Sequence, residues 1–131
     1  MIPAVHGDGE CGCRGKGCPI TCALLEELRS VPGVKLTGAM FSVLLPGAHL
    51  RPHCGPHNGR LKLHLALIVP ESAPPRAPWM RIGVPGEVRG WRQGKCNFLD
   101  DSFEHEVVNA ANATRVVLEV IMKHPQLAEV D

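Results

Sequence analysis

The chain has 131 residues, 44% of them hydrophobic, enough for one domain with a real core. Fourteen basic and thirteen acidic side chains leave a net charge of +1, so no broad field favours nucleic acid or an anionic membrane. No stretch approaches the roughly 20 apolar residues that span a bilayer, and Met1 to His6 lacks the apolar run of a signal peptide; as written, the chain reads as soluble. Residues 1–17 form a Gly- and Cys-rich arm or loop, and residues 18–131 carry the folded domain. Cys11, Cys13, Cys18 and Cys22 crowd this start, while Cys54 and Cys96 stand apart. The spacings C-x-C, C-x4-C and C-x3-C lack the paired C-x2-C knuckles of a zinc site, so a disulfide such as Cys13 to Cys22 is favoured over four thiolates on zinc. Spacing alone fixes no connectivity.

Pro19 to Leu28 has the apolar spacing of a short amphipathic helix, stopped by Pro32-Gly33. Apolar runs broken by turn residues follow and predict strands over Ala39–Leu45, Leu61–Val69, Met80–Val84, Lys95–Leu99 and Arg115–Met122. Short strands at this density indicate a mostly β sandwich or jelly roll with one helix. The segment from Ser72 to Pro78 is Pro-rich and reads as a stiff loop between strands. In RLKLHLALIV the alternation puts Leu61, Leu63, Leu65, Leu67 and Val69 on a core face and Lys62, His64, Ala66 and Ile68 on the other. Lys62 and His64 then lie either on a solvated surface or inside a polar cavity.

Seven histidines offer metal ligands. His49, His53 and His57 have helical spacing, but Pro46, Gly47, Pro52, Gly55 and Pro56 exclude a helix there. A barrel could instead bring His53 and His105 together from distant strands; each alone is more often structural. A 2-His-1-carboxylate iron site needs an acid near the first histidine, where this chain has Gly55.

FSVLLPGAHLRPHCGP, NGRLKLHLALIVP, the run W-x2-G-K-x-N-F-L-DDSFEHEV and the Arg115 strand resemble the aspartyl/asparaginyl β-hydroxylase family of Fe(II)/2-oxoglutarate oxygenases. CRGKGCPITCALLEEL resembles the helix-leading part of that family and favours a Cys13–Cys22 bridge. The resemblance implies a double-stranded β-helix, the cupin-like jelly roll, with Fe(II) on His53 and His105 and no third protein ligand at Gly55. It implies that Asp101 is an acid outside the ligand set, bonded to metal-bound water, where the residues alone allow a solvated Asp100-Asp101 turn. It places Arg115 on the distal carboxylate of 2-oxoglutarate, assisted by Ser42, Lys62 and His64, a task suited to the planar guanidinium fork. The implied reaction is hydroxylation, with Asp or Asn of a protein's EGF-like domain as the favoured substrate; the paired cysteines are compatible with the lumenal part of a secretory-pathway protein. Hydroxylation of a lipid A fatty-acyl chain, halogenation, and a catalytically silent metal-binding module are the alternatives.

Overall fold

A computed structural model describes residues 18–127. It opens with helix α1 (Pro19–Arg29) and continues through strands β1 (Leu36–Leu44), β2 (His49–His53), β3 (Arg60–Ile68), β4 (Trp79–Ile82), β5 (Glu87–Gly90), β6 (Cys96–Leu99), β7 (His105–Val108) and β8 (Arg115–Lys123). Pro19 opens α1, where its missing N–H costs nothing, and Gly33 (φ 81°) supplies the left-handed turn after it. Cys18 and Cys22 at this end are both disulfide-bonded, which removes both from a zinc site. The expected Cys13–Cys22 pairing and the arm over residues 1–17 involve residues outside those described.

Two antiparallel four-stranded sheets face each other, in the orders β1-β8-β3-β6 and β2-β7-β4-β5. This is the jelly roll expected from the sequence. The alternation along β3 gives each face its task. Leu61, Leu63, Leu65 and Leu67 join Leu118, Val120 and Met122 of the neighbouring β8 on the outer face, and α1 covers them with Leu24, Leu25 and Leu28. Lys62, His64 and Ala66 point between the sheets, not into solvent. There Ala66 packs with Leu44, Met80, Trp91, Leu99, Val107 and Val117 in an apolar cluster beside the polar side chains.

The helix and five strands fall within a few residues of their predicted positions. β2, β5 and β7 were not predicted, and the physical reason differs among them. HLRPH contains Pro52, which a ladder tolerates only at an edge, and β2 is the edge strand of its sheet. β5 is the opposite edge, four residues without an apolar run. β7 is central but equally short, its inward His105 and Val107 separated by an acid. The Pro-rich segment from Ser72 to Pro78 does join β3 to β4.

Asn109 is fully buried and ties two loops together. Its amide donates to the carbonyls of Leu44 and Ala113, each at 2.9 Å, and its side-chain oxygen accepts from the Ala111 N–H. Gly47, in the β1–β2 turn with φ 75°, donates its N–H to the Asn109 carbonyl. The start of β8, and Arg115 with it, is thereby anchored to the end of β1.

Candidate active site

The sheets enclose a cavity of about 210 Å³ lined by Ser42, His53, Lys62, His64, His105, Arg115 and Glu119, with Leu50, Met80, Leu99 and Val107 as its apolar wall. Six of the seven residues singled out in the sequence thus line one space. Asp101, the seventh, is not among the lining residues.

His53 ends β2 and His105 begins β7, and the two are direct cross-strand partners with ring centroids 4.3 Å apart. Each Nδ1 meets the backbone carbonyl two residues earlier, Arg51 at 2.6 Å and Phe103 at 2.9 Å. A carbonyl only accepts, so in each ring Nδ1 carries the hydrogen and the Nε2 lone pair is left available. Burial pushes His105 below the usual imidazole range, with the bond to Phe103 acting against it and the neighbouring His53 adding to it. Two adjacent imidazoles oriented by backbone carbonyls are the donors a borderline divalent ion takes. Among the described residues no group of three or more His, Cys, Asp or Glu side chains stands ready to hold a metal, so a metal here would take two protein ligands.

Asp101 explains why Gly55 has no side chain. Its carboxylate lies where a residue-55 Cβ would be, 2.4 Å from Oδ2, and the Gly55 N–H donates to the Asp101 carbonyl at 2.6 Å. The carboxylate is buried and held by Arg60 through Nη2 at 2.6 Å, with Lys62 at 3.5 Å. Burial alone would raise its pKa, but the bonds from Arg60 and Lys62 keep Asp101 below the usual carboxylate range. Asp100, by contrast, forms a turn, accepting from the Ser102 N–H and hydroxyl at 3.0 and 2.6 Å. The two acids therefore part ways: one makes the turn, the other is buried.

Arg115 is the largest of the fully buried side chains. Its Nη2 donates to Ser42 Oγ at 2.9 Å and its guanidinium carbon lies 4.5 Å from the centre of the Trp91 ring. Its Nε has no hydrogen-bond partner. Burial pushes this guanidinium down to about 10, with Glu119 partly offsetting the shift. A buried cation with a donor to spare suits a small anion.

Glu119 was not singled out in the sequence, although its signal was there. It is the only acid in the apolar strand RVVLEVIMK and lies four residues from Arg115, hence on the same face. It accepts from His64 Nε2 at 3.0 Å and pairs with Lys62 at 3.2 Å. These partners outweigh burial and hold its carboxyl at about 2. Trp91 donates to His64 Nδ1 at 3.4 Å, so His64 Nε2 carries the hydrogen that bonds Glu119.

The model of the aspartyl/asparaginyl β-hydroxylase family matches residues 12–125. The chain belongs to that family. Over 112 residues it is 40% identical to the mouse aspartyl/asparaginyl β-hydroxylase, covering 86% of this chain and 14% of that one. Over 110 residues it is 46% identical to the ornithine lipid ester-linked acyl 2-hydroxylase of Rhizobium tropici, covering 84% of this chain and 36% of the relative. The chain therefore spans about a seventh of the first relative and about a third of the second. Among solved structures it resembles a cupin domain from Bordetella pertussis (TM-score 0.50, 14% identity, 72% of this chain and 93% of that one). It also resembles AviO1 from Streptomyces viridochromogenes (TM-score 0.54, 15% identity, 70% and 52%). These likenesses agree on a family member with a cupin-type double-stranded β-helix.

Proposed function

We propose that the chain is the catalytic part of an Fe(II)- and 2-oxoglutarate-dependent hydroxylase, with His53 and His105 as the iron ligands and Arg115 as the anchor for the co-substrate's distal carboxylate. The observation that carries this reading is the sharing of one cavity by two histidines with free Nε2 lone pairs and a buried arginine with an unused donor.

When bound, ferrous iron would supply dioxygen activation, coupled to conversion of 2-oxoglutarate into succinate and carbon dioxide, for insertion of one oxygen atom into a C–H bond. The chain's own residues do the rest. The carbonyls of Arg51 and Phe103 fix the two rings. Ser42 holds Arg115 so that its fork meets a carboxylate, and Trp91 covers the guanidinium's face. Leu50, Met80, Leu99 and Val107 keep water from one wall. Asp101, clamped by Arg60, packs against Gly55 and accepts its N–H, which fixes the chain just after His53.

For the substrate, the β-carbon of Asp or Asn in a protein, such as an EGF-like domain, is the primary reading, supported by the family and by a disulfide-bonded start. A lipid acyl chain is the second, favoured by the 46% identity to the Rhizobium acyl hydroxylase. The test is succinate formation by purified, anaerobically Fe(II)-loaded protein supplied with 2-oxoglutarate and oxygen, then with EGF-like peptides or ornithine lipid. Succinate that vanishes in His53→Ala and His105→Ala supports the oxygenase. Fe(II) bound without any turnover, with either substrate class, would favour a silent metal-binding module.

A further inference from the structure

The even charge balance of the chain hides an uneven placement. From Pro74 to Lys95 the basic residues are Arg76, Arg81, Arg89, Arg92 and Lys95 and the only acid is Glu87, so the remainder of the chain is net acidic. Two of these cations are engaged within the fold, Arg81 with Glu104 at 3.1 Å and Arg89 with Glu87 at 2.9 Å. Arg76, Arg92 and Lys95 are exposed and have no ion pair among the described residues. They border an open apolar groove of about 380 Å³, lined mainly by Pro74, Pro75, Pro78, Trp79, Val88 and Gly90, with no charged side chain in its wall. Arg76 lies between the lining residues Pro75 and Ala77. Arg92 follows Gly90 by two residues, in a turn that the Lys95 N–H closes on the Arg92 carbonyl at 2.9 Å. The Gly94 N–H ties this turn to the Ala66 carbonyl at 2.8 Å, near the end of β3 where Ile68 is 56% exposed; Val88 in the groove is 64% exposed.

Exposed apolar surface rimmed by unpaired cations is complementary to one chemistry, hydrocarbon beneath an anionic layer. An acidic polypeptide or a nucleic acid would answer the cations but leave the groove in water. We propose that this face docks on an anionic lipid surface, with Arg76, Arg92 and Lys95 at the headgroups and the groove beside Trp79 taking an acyl chain. The site is separate from the reaction cavity. Met80 lines that cavity, so its neighbour Trp79 points to the other face of the sheet. Trp79 also stands three residues before Ile82, the cross-strand partner of His105, hence about 10 Å along the strand from the histidine pair. Docking here leaves the cavity unobstructed, and the inference stands whatever reaction the cavity performs.

Co-sedimentation of the whole chain with vesicles tests this, comparing equal parts phosphatidylglycerol and phosphatidylcholine with phosphatidylcholine alone. Binding is expected on the anionic vesicles only and should weaken steeply with added salt. The triple variant Arg76→Gln/Arg92→Gln/Lys95→Gln should lower the partition coefficient about a hundredfold. Val88→Asp, which sets a charge on the exposed wall of the groove, should lower it about tenfold. Trp79 and Trp91 are the only tryptophans and Trp91 is buried, so an acyl chain in the groove is read as quenching of Trp79 fluorescence by bromine-labelled lipid, which Trp79→Phe should remove. No binding to the anionic vesicles, equal binding to phosphatidylcholine alone, or binding that the triple variant retains overturns the proposal. Binding without quenching of Trp79 overturns it as well, because the groove then holds no lipid. Duplex DNA bound as strongly as the anionic vesicles would reduce the three cations to a general anion patch, with the same consequence.

Discussion

At the scale of single residues, Gly55 gives the sharpest test of the two-histidine ligand set. An acid at this position could be expected to restore a 2-His-1-carboxylate triad, but the space is filled by Asp101. Gly55→Asp should therefore destabilise the fold, by about 2–3 kcal/mol for overpacking and like-charge contact in a buried place. Asp101→Ala in the same chain should recover part of that loss in urea unfolding. Full stability of the single variant would show that the Asp101 contact is easily relaxed. Arg115→Ala should raise the KM for 2-oxoglutarate at least a hundredfold, whereas Arg115→Lys, which keeps charge but loses the fork, should recover only part of it. Initial rates of succinate formation give both numbers. His53, His105, Arg115, Ser42, Lys62 and His64 were legible because each stands out against its local pattern or sits in a family motif. Glu119 was as visible, yet a lone acid in an apolar strand gives no hint of its partners until β3 is known to lie beside β8.

At the scale of elements, β3 shows how much a period of two can specify. Its leucine face and its Lys62/His64 face were both readable, and only the location of the polar face stayed open, because alternation says which residues share a side and not what covers them. Here α1 covers the leucines and the second sheet covers the polar row. Leu25, the buried residue of α1, should cost about 2–4 kcal/mol on replacement by Ala, measured by denaturant unfolding. Co-substrate affinity in that variant should change little, since the helix packs on the face away from the cavity. Two of the three strands that escaped prediction, β2 and β7, carry the histidine pair. They are short and held by cross-strand partners distant in sequence, so their strand character resides in the pairing of His53 with His105 and of Leu50 with Val107.

At the scale of the whole molecule, the buried charges link stability to acidity and to ligand. The carboxyl of Glu119 lies at about 2 in the folded chain against an ordinary 4.5. A depressed carboxylate adds stability that is fully present above its unfolded value and is lost as pH falls toward the folded one. The fold should thus lose on the order of 3 kcal/mol from this group between about pH 4.5 and 2, and Glu119→Gln should flatten that limb of the unfolding curve. The unpaired Nε of Arg115 acts in the opposite sense, as an opportunity for stabilisation. An anion that completes it at a hundred times its Kd should add about 2.7 kcal/mol to unfolding, visible as a rise in Tm with 2-oxoglutarate concentration. In a cell, a chain that unfolds less often is degraded more slowly. If Arg115 holds the co-substrate as proposed, the protein's lifetime would follow the local supply of small dicarboxylates, and scarcity of them would thin its population.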